Sequence, residues 1–270
     1  MTQPILNRIH GVKFCWGIAL CALLWAQSAW AISNEQIEQE LVQHYDNIQK
    51  FSNYDKYPEG TELDDENRLF LQKILTYAQQ ASTLSYSFPT LQNNISIATS
   101  PDGKLRAYSW DTELGGSMHD FDAVFQYKGQ DGQIHVEKRK SYDGGGAFVS
   151  DIFQMNIANH PVYMMRSTAI LSTSLMYESV DLFSIDGNQL NDNIKLIKTK
   201  SGLTQRLGFE YDFFSVVDRP ERPIRLIQVN PKQKTIQIPV VMEDKEFRNG
   251  GRVTNRFITY KFNGQYFVKQ

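Results

Sequence analysis

The sequence predicts an α+β protein, two N-terminal helices followed by a mainly antiparallel β region. Three observations carry that prediction. Apolar residues recur at helical spacing up to about Leu91 and at alternating spacing from about Asn94 onward. The turn dipeptides Asp131-Gly132, Asp186-Gly187 and Asn263-Gly264 punctuate the second region. No helical pattern separates successive strand patterns, so the crossover helices of a parallel sheet have no place to form.

The first helix is announced by Ser33 with Gln36 three residues later, the spacing of a capping box. Ile37, Leu41, Val42, Tyr45 and Ile48 then share one face. Pro58 and Gly60 interrupt the pattern within "NYDKYPEGTELDD". Asp64 or Asp65 is expected to cap a second helix, which carries Leu69, Phe70, Ile74, Tyr77, Ala78 and Ala81 on one side. Both helices read as covers for one face of something else.

The β region opens with Ile95 and Ile97, then the turn Ser100-Pro101-Asp102-Gly103, with "KLRAYSW" returning as the partner strand. Further strands are expected at 123–127, 134–142, 148–157, 162–169, 175–185, 194–200, 207–217, 224–229, 235–241, 253–262 and 265–268. A curved sheet or open barrel is the expected architecture. The S-P-D-G-K turn also suits the inner hairpin of a β-propeller blade. A propeller repeats about every 40 to 50 residues. The turn residues at 102, 131, 186, 230 and 263 are spaced 29, 55, 44 and 33 apart, so a propeller stays a minority alternative.

Residues 1–31 read as a signal peptide. Arg8, His10 and Lys13 precede the apolar run "FCWGIALCALLWA", and Ala29 and Ala31 supply the small residues a signal peptidase requires, with cleavage after Ala31. The run falls short of the about 20 residues a membrane span needs. Cys15 follows Phe14 and Cys21 follows Leu20, so neither is a lipidation site, and both leave with the leader. The mature chain is then thiol-free and relies on its core for stability. Expected organisation is a helical segment over 32–92 and an antiparallel β domain over 93–270, located in the periplasm. Of the 28 basic residues two lie in the leader, leaving 26 against 30 acidic ones, a net charge of −4. That balance points away from nucleic acid. No second long apolar run follows, so no transmembrane segment is expected after cleavage.

Catalytic signatures are sparse. The chain has no G-x-x-x-x-G-K-[ST], no G-x-G-x-x-G and no H-E-x-x-H, and "GGSMH" at 115–119 lacks the second glycine of a nucleophile elbow. No cofactor and no metal-ligand set is predicted. His119, Asp120 and Asp122, in "HDFD", are the candidate catalytic residues, with Asp111 as an alternative partner for His119. Strand alternation sets Asp120 and Asp122 on one face, as an acid–base pair or calcium ligands would require. The structural reading, carboxylates accepting backbone N–H groups where the strand begins, outweighs it. Tyr108 and Trp110 put two aromatics on one sheet face, as core or as a binding platform, and Tyr142 is a third candidate binding residue. "RPERPIR" at 219–225 reads as a basic, proline-stiffened loop and "KRK" at 138–140 as a basic strand segment, both solvated charge or, less favoured, partner docking.

"SPDGKLRAYSWDTELGGSMHDFD" resembles a block found in uncharacterised secreted proteins and lipoproteins of Gram-negative bacteria, S-x-D-G-K-L-R-x-Y-S-W-D-T-x-x-G-G-x-M. The resemblance covers residues 100–118. It implies a bacterial, envelope-associated protein and implies no activity. The expected function is therefore non-enzymatic binding of another periplasmic protein, an inhibitor or immunity protein against an envelope-acting toxin being one form. The alternative is an envelope-polymer hydrolase using Asp120 and Asp122, or His119 with Asp111.

Overall fold

Ser33 begins the first helix as its spacing predicts. Its hydroxyl accepts from Gln36 N at 3.2 Å while Gln36 Oε1 accepts from Ser33 N at 3.0 Å. In this computed structural model, which describes residues 32–139 and 145–270, α1 spans Asn34–Phe51 and buries Ile37, Leu41, Tyr45 and Ile48. The predicted signal peptide and Tyr142 lie outside the described residues. Helix α2, Thr61–Tyr77, starts earlier than expected. Its N-cap is Gly60 in the left-handed conformation with no side-chain cap, and Asp64 sits inside the first turn, where the helix dipole favours a carboxylate.

The strands are β1 Ser96–Thr99, β2 Leu105–Asp111, β3 Phe121–Lys128, β4 Ile134–Lys138, β5 Phe148–Ile157, β6 His160–Ile170, β7 Leu175–Asp186 and β8 Gln189–Asn191. They continue with β9 Ile197–Thr199, β10 Gly202–Thr204, β11 Arg206–Asp212, β12 Gln228–Asn230, β13 Thr235–Met242, β14 Arg252–Phe262 and β15 Phe267–Lys269. A first sheet has the order β1-β2-β3-β4, a second β11-β7-β6-β5 with β8 added to β7, and a third β10-β9-β15-β14-β13-β12. All pairs are antiparallel except β15 with β9. The α+β class is as predicted.

The sheets neither close into a barrel nor repeat as blades; they stack. In β2, Leu105 and Ala107 face the second sheet, where Tyr163, Met165 and Phe183 meet them. Residues of the opposite parity face the helices: Trp110 packs on Phe70 with ring centroids 5.0 Å apart, and Tyr108 on Phe88 at 5.9 Å. The second sheet is covered twice as well. Val162, Met164, Val180 and Leu182 point the other way, onto Ile236, Ile238 and Phe267 of the third sheet. Strands sandwiched on both faces are buried along most of their length, as β2 and β6 are, and the polar residues they enclose, such as Arg106 and Arg166, are held by hydrogen bonds. Each large side chain so enclosed contributes about 1.5–3 kcal/mol. The outermost helices and the outer face of the third sheet meet solvent.

Two expected strands are shortened. The 207–217 pattern ends as β11 at Asp212, whose side chain caps a 3₁₀ turn over Phe213–Ser215 by accepting from Phe214 N at 3.0 Å. Of 224–229 only the end joins β12. Ile224 and Leu226 are buried instead against Met176, Tyr211 and Val253, in an irregular segment.

Candidate functional site

At one end of the first two sheets, the last residues of β2, the start of β3, the starts of β5 and the end of β6 converge beneath the segment before β12. They enclose a cleft of about 530 Å³. Phe121 and Phe148, 5.4 Å apart, form an aromatic wall, with Ile170, Pro223 and Tyr45 around it. Asp111, His119 and Arg225 are its ionisable lining.

The position of His119 follows from local hydrogen bonding. Asp111 ends β2, and one of its oxygens accepts from Glu113 N at 2.9 Å, which turns the chain with Glu113 at φ 59°. Thr112 N donates to Asp120 O at 2.8 Å, closing the excursion, and His119 N donates to Ile170 O at 3.1 Å. These bonds bring His119 Nδ1 against the other Asp111 oxygen. The ring stacks on Phe121, 15° from parallel with centroids 6.1 Å apart. A carboxylate on Nδ1 keeps the proton there and leaves Nε2 as the lone-pair nitrogen. Nε2 has no protein partner among the described residues, and the side chain is 41% exposed. This is a base held in orientation at the mouth of a cleft.

Gly145 and Gly146, just before β5, let the chain approach. Phe121 N donates to Gly145 O at 2.6 Å, and a Cβ on Gly146, at φ 74°, would stand 2.2 Å from Phe121 O. The hydroxyls on the cleft wall are already engaged. Ser109 Oγ accepts from Val149 N at 2.9 Å, Ser96 Oγ donates to Val149 O at 2.5 Å, and Ser150 lies 3.3 Å from both Arg166 Nε and Arg166 O. None of these bonds reaches His119.

Arg225 is set by a charged chain running through the second sheet. Its Nε donates to Asp151 Oδ2 at 3.1 Å, and the same oxygen receives Arg166 Nη2 at 2.5 Å. Arg166 Nη1 also donates to Ile227 O at 2.6 Å. The terminal nitrogens of Arg225 have no protein partner among the described residues. Beneath this segment Glu178, fully buried, accepts from Leu226 N at 3.0 Å and Ile227 N at 2.8 Å. Burial pushes its carboxyl up to about 7, against the opposing pull of those two amides and of Arg166. Burial also raises the Tyr45 hydroxyl, and the nearby Glu113 and Asp111 carboxylates add to the rise.

Of the residues singled out from sequence, the structure brings together His119 and Asp111. Asp120 and Asp122 do not line the cleft. Asp120 accepts from Thr112 Oγ1 at 3.1 Å, and Asp122 pairs with Lys138 at 2.7 Å, so the two-carboxylate arrangement is corrected to a histidine–aspartate pair. Tyr108 and Trp110 are 2% and 1% exposed, which replaces the platform reading with core; the helices cover the face they share. Trp110 still forms part of the cleft wall, and its Nε1 has no hydrogen-bond partner. Among the described residues no three His, Cys, Asp or Glu side chains cluster as metal ligands would. No described helix is long and apolar enough to cross a membrane. Arg225, Phe148 and Tyr45 were not identified as site residues from the sequence; Arg225 ended the basic loop, Phe148 opened an expected strand and Tyr45 stood on the apolar face of the first helix. No family model, curated protein or solved structure matches this chain.

Proposed function

We propose that the protein is a binding protein, exported to the periplasm by its leader, that takes its ligand into the cleft beside His119. The observation that carries this reading is the His119 ring, fixed by Asp111 and Phe121 with Nε2 unpartnered, on the wall of an aromatic-lined cleft. A cleft of about 530 Å³ falls in the size range of small-molecule sites. Both faces of the first two sheets are covered, which argues against docking on a flat sheet surface. Pairing with another periplasmic protein, including inhibition of an envelope-acting toxin, then requires a partner segment that enters this cleft. The test is native mass spectrometry after incubation with low-mass periplasmic solutes. The wild type retains an adduct that a His119→Ala, Phe148→Ala variant loses; equal retention by both rules out the cleft.

A second reading, hydrolysis, is favoured by one feature: the Asp111–His119 arrangement suits deprotonation of a water molecule, the wall hydroxyls being engaged elsewhere. It requires that His119→Asn abolish turnover of the retained compound while leaving its retention intact. An unaltered compound recovered from wild type excludes it.

A further inference from the structure

We infer that the cleft is selective for a monoanionic carboxylate, which sits on the terminal nitrogens of Arg225 with its uncharged body along Phe121 and Phe148. The inference rests on reading the cleft as a binding site, and deepens it by naming the ligand's charge and shape.

The argument starts from what Arg225 has left to offer. Its Nε is committed to Asp151, so the guanidinium cannot rotate freely, while the Nη1/Nη2 edge remains unpaired on the cleft wall. That edge is a planar fork with the spacing of a carboxylate's two oxygens. Asp151 is itself shared with Arg166, so the two arginines outnumber it, and Glu178 beneath them, its carboxyl pushed up to about 7 by burial, offsets that positive excess only in part at neutral pH. A preorganised cation of this kind loses little freedom when it binds.

The remaining charges set sign and magnitude. Asp111 lies on the cleft wall, and Glu113 lies close enough to act, with Asp111, on the Tyr45 hydroxyl. Glu113 is held there by Gln49 Nε2 at 2.8 Å. One side of the cleft is therefore cationic and the other anionic. A ligand with a single negative charge is oriented by that asymmetry, its carboxylate toward Arg225 and its neutral part toward His119. A dianion gains on Arg225 but is repelled by Asp111 and Glu113, and a cation finds the lining carboxylate, Asp111, already holding His119 and Glu113 N, while Glu113 lies outside the lining and is held by Gln49. Phe121, Phe148, Ile170 and Pro223 supply an apolar surface for a hydrocarbon or aromatic body.

The experiment titrates the protein at neutral pH with 3-phenylpropionate, its primary amide and phenyl phosphate, following the His119 and Phe148 NMR signals. The acid is expected to bind about tenfold more tightly than the amide, as a charge-assisted bidentate pair provides. Phenyl phosphate, largely dianionic, is expected to bind more weakly than the acid. Arg225→Gln should bind acid and amide alike, and Arg225→Lys should keep part of the preference. Equal binding of acid and amide to wild type, tighter binding of the phosphate, or an undiminished preference in folded Arg225→Gln overturns the inference. Should Arg225→Gln fail to fold, the wild-type comparison of acid and amide decides alone. The two failures are separable: equal shifts with acid and amide discard carboxylate selectivity and keep the cleft, whereas no shift with any probe at millimolar concentration discards both.

Discussion

The two ends of the first two sheets are built on different principles. At one end the chain reverses at residues 100–104, 129–132, 158–159 and 186–187, and the turns combine short-range bonds with links to one another, such as Asp131 N to Asn188 Oδ1 at 3.1 Å. Ser100 Oγ accepts from Lys104 N at 3.2 Å and Leu105 N at 3.0 Å, and Asp131 Oδ1 accepts from Gln133 N at 2.9 Å, all within five residues. At the other end the contacts that matter are remote in sequence. Arg225 reaches Asp151 across 74 residues and Leu226 reaches Glu178 across 48. The first end also holds a hollow of about 590 Å³, bordered by Lys104, Lys128 and His160, but its lining carboxylate, Asp186, is already engaged by Ser184 and Asn191. Locally satisfied turns can close an end; at the cleft, pairing over eight residues directs His119 Nε2 and pairing over 74 directs the Arg225 fork. The difference predicts a gradient of mutational cost, large at the cleft and small at the turns.

The largest effect is expected at Trp110. Trp110→Ala removes a fully enclosed indole between Phe70 and the cleft wall, and a loss of about 3–5 kcal/mol in unfolding free energy is expected by denaturant titration. Trp110→Phe sharpens the point. The indole Nε1 has no partner, so Phe relieves a buried polar group while giving up volume, and a cost of about 1 kcal/mol or less is expected. A Phe variant as damaged as the Ala variant would mean that the nitrogen is bonded in solution.

Next comes Glu178. Glu178→Ala leaves the buried amides of Leu226 and Ile227 without an acceptor, and about 2–3 kcal/mol should be lost, together with ordering of the Arg225 wall. Glu178→Gln keeps an acceptor oxygen and separates charge from hydrogen bonding. The carboxyl ionises near its ordinary 4.5 when unfolded and at about 7 when folded. Between those values the folded protein holds a proton that the unfolded chain has released, so stability falls as pH rises through the window, by up to about 3 kcal/mol in total. Below the window both states are protonated and the contribution is at its full value. Urea midpoints measured from pH 4.5 to 7 should fall for wild type, and Glu178→Gln should flatten that fall. An identical pH profile in the two proteins would show that Glu178 stays charged and that its amide bonds dominate.

This division also explains what could be read from the sequence. The capping box at Ser33 and the turn at Pro101–Gly103 both appear in the structure because each is decided within a few residues. The α+β class followed from periodicity. Stacking of three sheets did not, because period alone cannot distinguish a strand covered on both faces from one side of a curved sheet. At the site, His119 with Asp111 was legible as an alternative since eight residues separate them. Tyr108 and Trp110 could be paired on one face but not assigned a cover, because Phe70 and Phe88 come from the helical segment. Arg225 could be recognised only as basic, since its meaning depends on Asp151 and Arg166 in other strands. The need for glycine at 145 and 146 could not be read, because the carbonyls that forbid a side chain there belong to His119 and Phe121.

The smallest effect, and the one that most directly tests the comparison, is expected at Gly103. It adopts φ 67° in the turn between β1 and β2, and a Cβ there meets nothing within 4 Å. Gly103→Ala therefore incurs only the left-handed backbone penalty, about 1 kcal/mol, reduced somewhat because alanine also restricts the unfolded chain. Thermal unfolding should shift by a few degrees, and binding in the cleft should be unchanged because the substitution lies at the far end of β2 from Asp111. Two results would break the comparison. A loss approaching that of Trp110→Ala would mean that the turn is coupled to the core and not locally satisfied. A change in cleft binding with stability intact would mean that β2 transmits strain along its length to Asp111, so that the two ends act as one element.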